Sequence, residues 1–127
     1  MIRSASDSVT GATLATVQQF NEVFNRHDVD GIMALMADDC VFDSTRPAPD
    51  GERFVGQIAV RACWTAFFAR SPAAKFETEE IFACGDRCLV RWVYHWVREG
   101  VAGHVRGVDV FKVELGKVAE KLSYVKG

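Results

Sequence analysis

Residues 104–125 read HVRGVDVFKVELGKVAEKLSYV, and their reading decides the fold. Leu115-Gly116 divides the stretch into two runs of alternating apolar and polar residues. That is the pattern of two β-strands joined by a two-residue hairpin turn. Side chains alternate across a strand, so Val105, Gly107, Asp109, Phe111 and Val113 share one side of the first run. A carboxylate therefore sits in the middle of an apolar face. A buried, unpaired Asp is costly, so a partner or a function must account for it.

Two further strands precede this hairpin, KFETEEIFAC (75–84) and RCLVRWVYHWV (87–97), joined by a tight turn at Gly85-Asp86. Counting outward from Leu115-Gly116 sets Glu114 opposite Lys117. The same count puts Asp109 opposite Leu122, Phe111 opposite Glu120 and Gly107 opposite Tyr124. REGVAG (98–103) reads as a longer loop. Setting Trp92 near Asp109 then puts Cys88, Val90, Trp92, Tyr94 and Trp96 on the Asp109 face. The opposite face holds Arg91, Val93, His95 and Val97 beside His104, Arg106, Val108 and Val110.

The N-terminal half has helical spacing. Residues to about Ala12 are small and polar and read as a loose arm. A helix is expected from Thr13 to Arg26, with Val17, Phe20, Val23 and Phe24 as its apolar stripe. Asp28 is placed to cap a second, short helix carrying Ile32, Leu35 and Met36. A short strand covers Cys40–Asp43, and TRPAPDGER (45–53) is a loop. Gly56 opens a third helix, Gln57–Arg70, with Val60, Cys63, Trp64 and Phe67 on its buried side and Pro72 just beyond its end. Helices first and an antiparallel sheet afterwards make an α+β domain, and its length fits one domain over 1–127.

Composition narrows the partners. The chain is 49% hydrophobic and 25% charged, with a formal net charge of −2 and no basic run. Neither a nucleic-acid nor a membrane partner is expected. No apolar run is long enough for a secretory signal or a bilayer span, so the expected location is cytoplasmic. Cys40, Cys63, Cys84 and Cys88 form no C-x-x-C pair and are expected to be reduced thiols.

VDGIMALMADDCVF (29–42), GQIAVRACWTAFF (56–68) and RGVDVFKVELGKVAEKLSY (106–124), in that order, resemble the nuclear-transport-factor-2-like superfamily. Within it, the SnoaL-like polyketide-cyclase and ketosteroid-isomerase-like branch is closest. The resemblance implies a cystatin-like fold: a curved antiparallel sheet wrapped around three N-terminal helices, forming a cone with an internal pocket, commonly in a homodimer. The oxyanion-hole aspartate of the ketosteroid isomerases matches Asp109 in Val108-Asp109-Val110-Phe111. Their general-base position falls on Ser44, with Asp43 one residue earlier, and their oxyanion-hole tyrosine falls on Phe20. A Ser does not serve as a general base near neutral pH, and a Phe donates no hydrogen bond. Steroid isomerisation by the family mechanism is therefore not expected.

Asp109 is the candidate catalytic residue. Phe20, Cys40, Ser44, Trp64, Trp92, Tyr94, Trp96, Phe111, Leu122 and Tyr124 are the candidate substrate-binding residues. For the aromatic residues a plain core role stays open, and Asp109 itself has the alternative of a structural carboxylate held by Tyr or Trp donors. Cys40 has no nameable base beside it. His27 reads as a solvated loop residue. His95 and His104 lie on the far face without a third ligand, so no metal is expected. Arg91 and Arg106 on that face are expected to pair with carboxylates. Phosphate-loop, dinucleotide and nucleophile-elbow motifs are missing, so any chemistry is expected to be cofactor-free acid–base work. The expected ligand is a small, hydrophobic, oxygenated molecule, handled by an isomerase, cyclase or dehydratase type of enzyme. The alternative is a non-catalytic binding or dimerisation module of the same fold.

Overall fold

The computed structural model describes residues 5–127. Helix α1 spans Ala5–Asn25, α2 Val29–Ala34 and α3 Gln57–Arg70. The strands are β1 Met36–Asp43, β2 Arg53–Val55, β3 Phe76–Cys84, β4 Arg87–Arg98, β5 Val101–Glu114 and β6 Lys117–Val125. They form one six-stranded sheet in the order β2-β1-β6-β5-β4-β3. All neighbours are antiparallel except β1 and β6, which run parallel, so the expected antiparallel sheet is mixed at one pair.

Three differences from the sequence reading have physical causes. The first concerns the N-terminal arm, expected to be loose to about residue 12. From Ala5 onward it is helix, and residues 1–4 lie outside the described part. Tertiary hydrogen bonds hold that helix: Gly85 N–H donates to Thr10 Oγ1 at 2.8 Å, and Thr13 Oγ1 donates to the Gly85 carbonyl at 2.7 Å. The second is that α2 stops earlier than expected. Asp28 does cap it, accepting from Gly31 N–H at 3.0 Å, but Leu35 is already its C-cap and Met36 begins β1.

The third difference is register. REGVAG is no long loop, because Arg98 pairs with Val101 across Glu99-Gly100. Both turn residues have positive φ, +52° and +79°, as a type I′ turn needs. Trp92 therefore lies opposite Gly107, and Asp109 opposite Val90. The Asp109 face keeps the β4 residues expected on it. On the other side, Val113 pairs with Val118 but Lys112 with Glu120, so Ala119 is an extra, bulged residue. Beyond the bulge every β6 partner moves by one: Asp109 faces Ser123, Phe111 faces Lys121, Gly107 faces Val125 and Val108 faces Tyr124.

The helices cover the Asp109 side of the sheet and fill most of the cone. Phe20 and Trp64 are 0% and 1% exposed. The Phe20 ring meets Trp64 at 5.9 Å and Phe111 at 5.6 Å. Phe24 packs on Trp64 at 5.5 Å and Phe68 at 5.0 Å. Losing a core aromatic to Ala costs about 3–5 kcal/mol, so this cluster carries much of the stability. Polar bonds also fasten α1 to the edge strand β3 at its far end. Asn25 Nδ2 donates to the Phe76 carbonyl at 2.9 Å, and Phe76 N–H donates to Asn25 Oδ1 at 3.0 Å. None of the described helices is long and apolar enough to cross a membrane.

Candidate functional site

Asp109 does have a partner. It is 6% exposed, at the middle of β5. Ser123 Oγ donates to its Oδ1 at 2.7 Å, and Lys121 Nζ lies 3.3 Å from Oδ2. Lys121 also donates to Ser123 Oγ at 3.2 Å, so the three groups close a polar triangle. Lys121 is itself 8% exposed, with its ammonium over the rings of Phe42 at 4.8 Å and Phe24 at 5.4 Å. Cation–π attraction offsets part of the desolvation of that ammonium. The Ala119 bulge makes the triangle possible: it turns Lys121 and Ser123 toward the helices, onto the side of Asp109.

Asp109 and Lys121 of the triangle floor a crevice between α1 and β3. Asn21 and Phe24 of α1, Phe76 and Thr78 of β3 and Trp92 of β4 wall it. Its enclosed part is about 20 Å³. That exceeds the ~10–15 Å³ that admits one water-sized group. Beyond that part the crevice opens to solvent. Thr78, at the rim, is exposed. The indole Nε1 of Trp92 is buried and has no hydrogen-bond acceptor among the described residues. Such an orphan donor costs about 1–3 kcal/mol.

Of the expected site residues, the structure brings Asp109 and Trp92 to the crevice. Phe20, Cys40, Trp64 and Phe111 are all within 1% of full burial and belong to the packed core. Burial raises the Cys40 thiol above its usual pKa, which leaves it a poor nucleophile. Tyr94 is half-buried and stacks on Phe76 at 4.8 Å. Trp96 lies against Gly103, with the Arg98 guanidinium 5.4 Å from its ring. Ser44 is occupied within its loop: its Oγ donates to the Arg46 carbonyl at 2.8 Å and accepts from Glu52 N–H at 3.1 Å. Leu122 and Tyr124 lie on the opposite face of the sheet, because the bulge reverses the side expected for them. Asp43 shares that outer face and is bound in bidentate fashion by Arg53 at 2.7 and 2.8 Å. The hydrogen bond from Arg53 holds its carboxyl below the usual value of 3.8.

His27 is a further correction. It is not a solvated loop residue: its ring stacks on Phe68 at 4.2 Å, and Nε2 lies 2.6 Å from the Ala74 carbonyl oxygen. His95 and His104 do sit on the outer face, with ring centres 5.9 Å apart. Arg91 pairs there with Glu80 at 2.9 Å and Arg106 with Glu79 at 3.1 Å. Among the described residues, no three His, Cys, Asp or Glu side chains converge as metal ligands. The residues the sequence reading missed are Lys121, Ser123, Asn21, Phe24, Phe76 and Thr78. One signal for the first two was present: Val118 and Ala119 are adjacent apolar residues followed by the adjacent charged Glu120 and Lys121, which breaks the alternation as a bulge does.

Comparison with known proteins gives the family. The model of the SnoaL-like domain matches residues 17–121. The chain belongs to the SnoaL-like family. An NTF2-like protein of unknown function from Mesorhizobium loti is similar to this SnoaL-like chain at 37% identity. It aligns over 100% of this chain and 98% of that one, with a TM-score of 0.80. A putative polyketide cyclase from Pseudomonas putida shares the fold at 20% identity, covering 90% and 91% of the two chains with a TM-score of 0.69. A putative ketosteroid isomerase from Kribbella flavida does so at 18% identity, covering 98% and 83% with a TM-score of 0.75. No curated protein matches the SnoaL-like chain.

Proposed function

We propose that this SnoaL-like protein binds a small, hydrophobic, oxygen-bearing molecule in the α1–β3 crevice and moves a proton on it through Asp109. The observation that carries the reading is the buried Asp109–Lys121 pair on the crevice floor. Replacing a buried ion pair by apolar residues of similar volume is often neutral or stabilising, so the pair is poorly explained by stability alone. A carboxylate and an ammonium side by side supply a base and a fixed positive charge. Asp109 takes a proton from the carbon beside the ligand's oxygenated centre, and Lys121 stabilises the negative charge that develops on the oxygen. The proton then returns to the same or a second carbon, so the chemistry balances without a cofactor. The names of the putative cyclase and isomerase among the structural neighbours fit this class of reaction.

The test compares wild type with the double variant Asp109→Leu/Lys121→Met, which removes both charges together. Wild type is expected to bind members of a panel of ketones and phenols, and the folded double variant to bind none of them. Equal binding by the two, or no binding by wild type, would count against the proposal. The second reading, a non-catalytic module, is favoured by one observation: Phe20, Trp64 and Phe111 fill the cone and leave only about 20 Å³ enclosed. Silence of wild type across the panel would favour it.

We also propose a second copy of the chain as the partner of the outer sheet face. Phe82, Leu89, Val110 and Leu122 are in register across that face, and Phe82 is 51% exposed. The ion pairs Arg91–Glu80, Arg106–Glu79 and Arg87–Glu120 frame this apolar row. An apolar centre with a charged rim is the usual make-up of a protein interface.

A further inference from the structure

We infer that Trp92 is the recognition residue of the crevice, and that the group it receives is a carbonyl oxygen. The inference rests on the proposed binding role of the crevice and specifies the chemistry of its ligand. An indole N–H is a donor only, and so is an ammonium. Trp92 walls the crevice with its Nε1 buried and without an acceptor among the described residues. Lys121 donates one N–H bond to Ser123, forms an ion pair with Asp109, and has three N–H groups to give. Both oxygens of Asp109 are already engaged, Oδ1 by Ser123 and Oδ2 by Lys121. The crevice wall thus offers an incoming group one buried donor that nothing else satisfies, the Trp92 indole N–H. A carbonyl oxygen accepts without bringing a proton of its own. A hydroxyl brings one that needs an acceptor of its own at the same point. The enclosed volume of about 20 Å³ suits a single small polar group, with the remainder of the ligand lying outward past Asn21 and Thr78.

Trp92 is also held in place from behind. It pairs with Gly107, and a Cβ at position 107 would fall on the indole ring. The Phe76 ring meets it edge-on at 5.1 Å. A donor fixed between a strand backbone and an aromatic ring is preorganised for an acceptor, which lowers the entropic cost of binding.

The test uses the full chain, labelled with ¹⁵N, and reads the indole N–H signals of Trp64, Trp92 and Trp96. Their assignment comes from Trp→Phe changes at each position. Three probes of matched shape are titrated: cyclopentanone, cyclopentanol and methylenecyclopentane. The expected result is a saturable downfield shift of the Trp92 signal with cyclopentanone, larger than with cyclopentanol and missing with the hydrocarbon. Trp92→Phe should weaken cyclopentanone binding about fivefold, the worth of one neutral hydrogen bond, and leave methylenecyclopentane binding little changed. Should Trp92→Phe fail to fold, the wild-type titration alone decides. A Trp92 signal that stays still while cyclopentanone binds overturns the role of Trp92 and leaves the Asp109 reading standing. An equal response to cyclopentanol overturns the carbonyl class. No binding of any probe overturns both.

Discussion

Lys121 changes what a substitution at Asp109 measures. Judged from its own strand, Asp109→Asn is a conservative swap in an apolar pocket. With Lys121 3.3 Å away and 8% exposed, the same change strands an ammonium among the rings of Phe24 and Phe42. Breaking one side of a buried pair costs about 3–5 kcal/mol, and removing both sides costs far less. Asp109→Asn is therefore expected to lose several kcal/mol in urea unfolding, and Asp109→Leu/Lys121→Met to recover most of it. A double variant as unstable as the single one would mean the pair is not the main partner of either charge. The thiols give a second residue-scale prediction. Burial lifts Cys88 from 9.0 to about 11. Its folded-state value lies above the unfolded one, so its contribution to stability is complete below pH 9 and is lost as pH rises toward about 11. A thiol reagent at pH 8 is expected to label exposed Cys84 in the native protein and to reach Cys40 and Cys88 only after denaturation. Mass spectrometry of the labelled peptides checks this. Asp109 was legible in the sequence because one charge interrupts an alternating apolar strand. Its partners were not, because their side of the sheet depends on one bulged residue.

At the scale of elements, strand existence and hairpin turns follow from alternation and from glycine placement. Register follows only where the turn count is unbroken. Glu114 does face Lys117 as counted, and the error enters two pairs later at Ala119. The start of α1 was illegible for another reason: SDSVTGA has no apolar stripe, and Thr10 and Thr13 earn their helical place by bonding Gly85, 72 or more residues away. Gly107 and Gly103 carry the converse lesson. Each lies opposite a tryptophan, Trp92 and Trp96, that occupies the room a side chain would need. Gly107→Ala would drive a methyl into the Trp92 ring and the Tyr124 carbonyl, which belong to two different neighbouring strands. Overpacking of this kind costs about 1–3 kcal/mol. Gly11→Ala, on the exposed side of α1, meets no atom and has no left-handed φ, so it serves as the comparison; Gly116, at φ +73°, does not, because any Cβ there is strained. Thermal unfolding should rank Gly107→Ala below Gly11→Ala, and the reverse order would contradict the packing account.

For the whole molecule, the two faces of the sheet have opposite tasks. The inner face is filled by the helices, and the outer one presents its apolar row with a border of ion pairs. If a second copy covers that row, light scattering at micromolar protein should give twice the 14.1 kDa chain mass. Val108→Arg, in the centre of the outer face, should return the mass toward the monomer by burying an unpaired charge in the contact. A monomer mass for the wild type would remove the proposed contact. The fold class was legible at this scale because it needs only the order of periodic segments. The crevice was not, since it depends on how far three helices fill the cone.

The two polar fastenings of α1, at Gly85 and at Phe76, bracket the mouth of the crevice. A strip held at both ends opens by bowing or by releasing one end, and the Asn25 end is the one beside the crevice. The Phe76 amide is protected only while Asn25 accepts from it. Its hydrogen–deuterium exchange rate is therefore a clock for gating at that end, readable without any ligand. Asn25→Ala should speed exchange at Phe76 well beyond its effect on the amides of β5, in the centre of the sheet. Uniform acceleration across the sheet would mean instead that the mouth opens only when the whole domain unfolds.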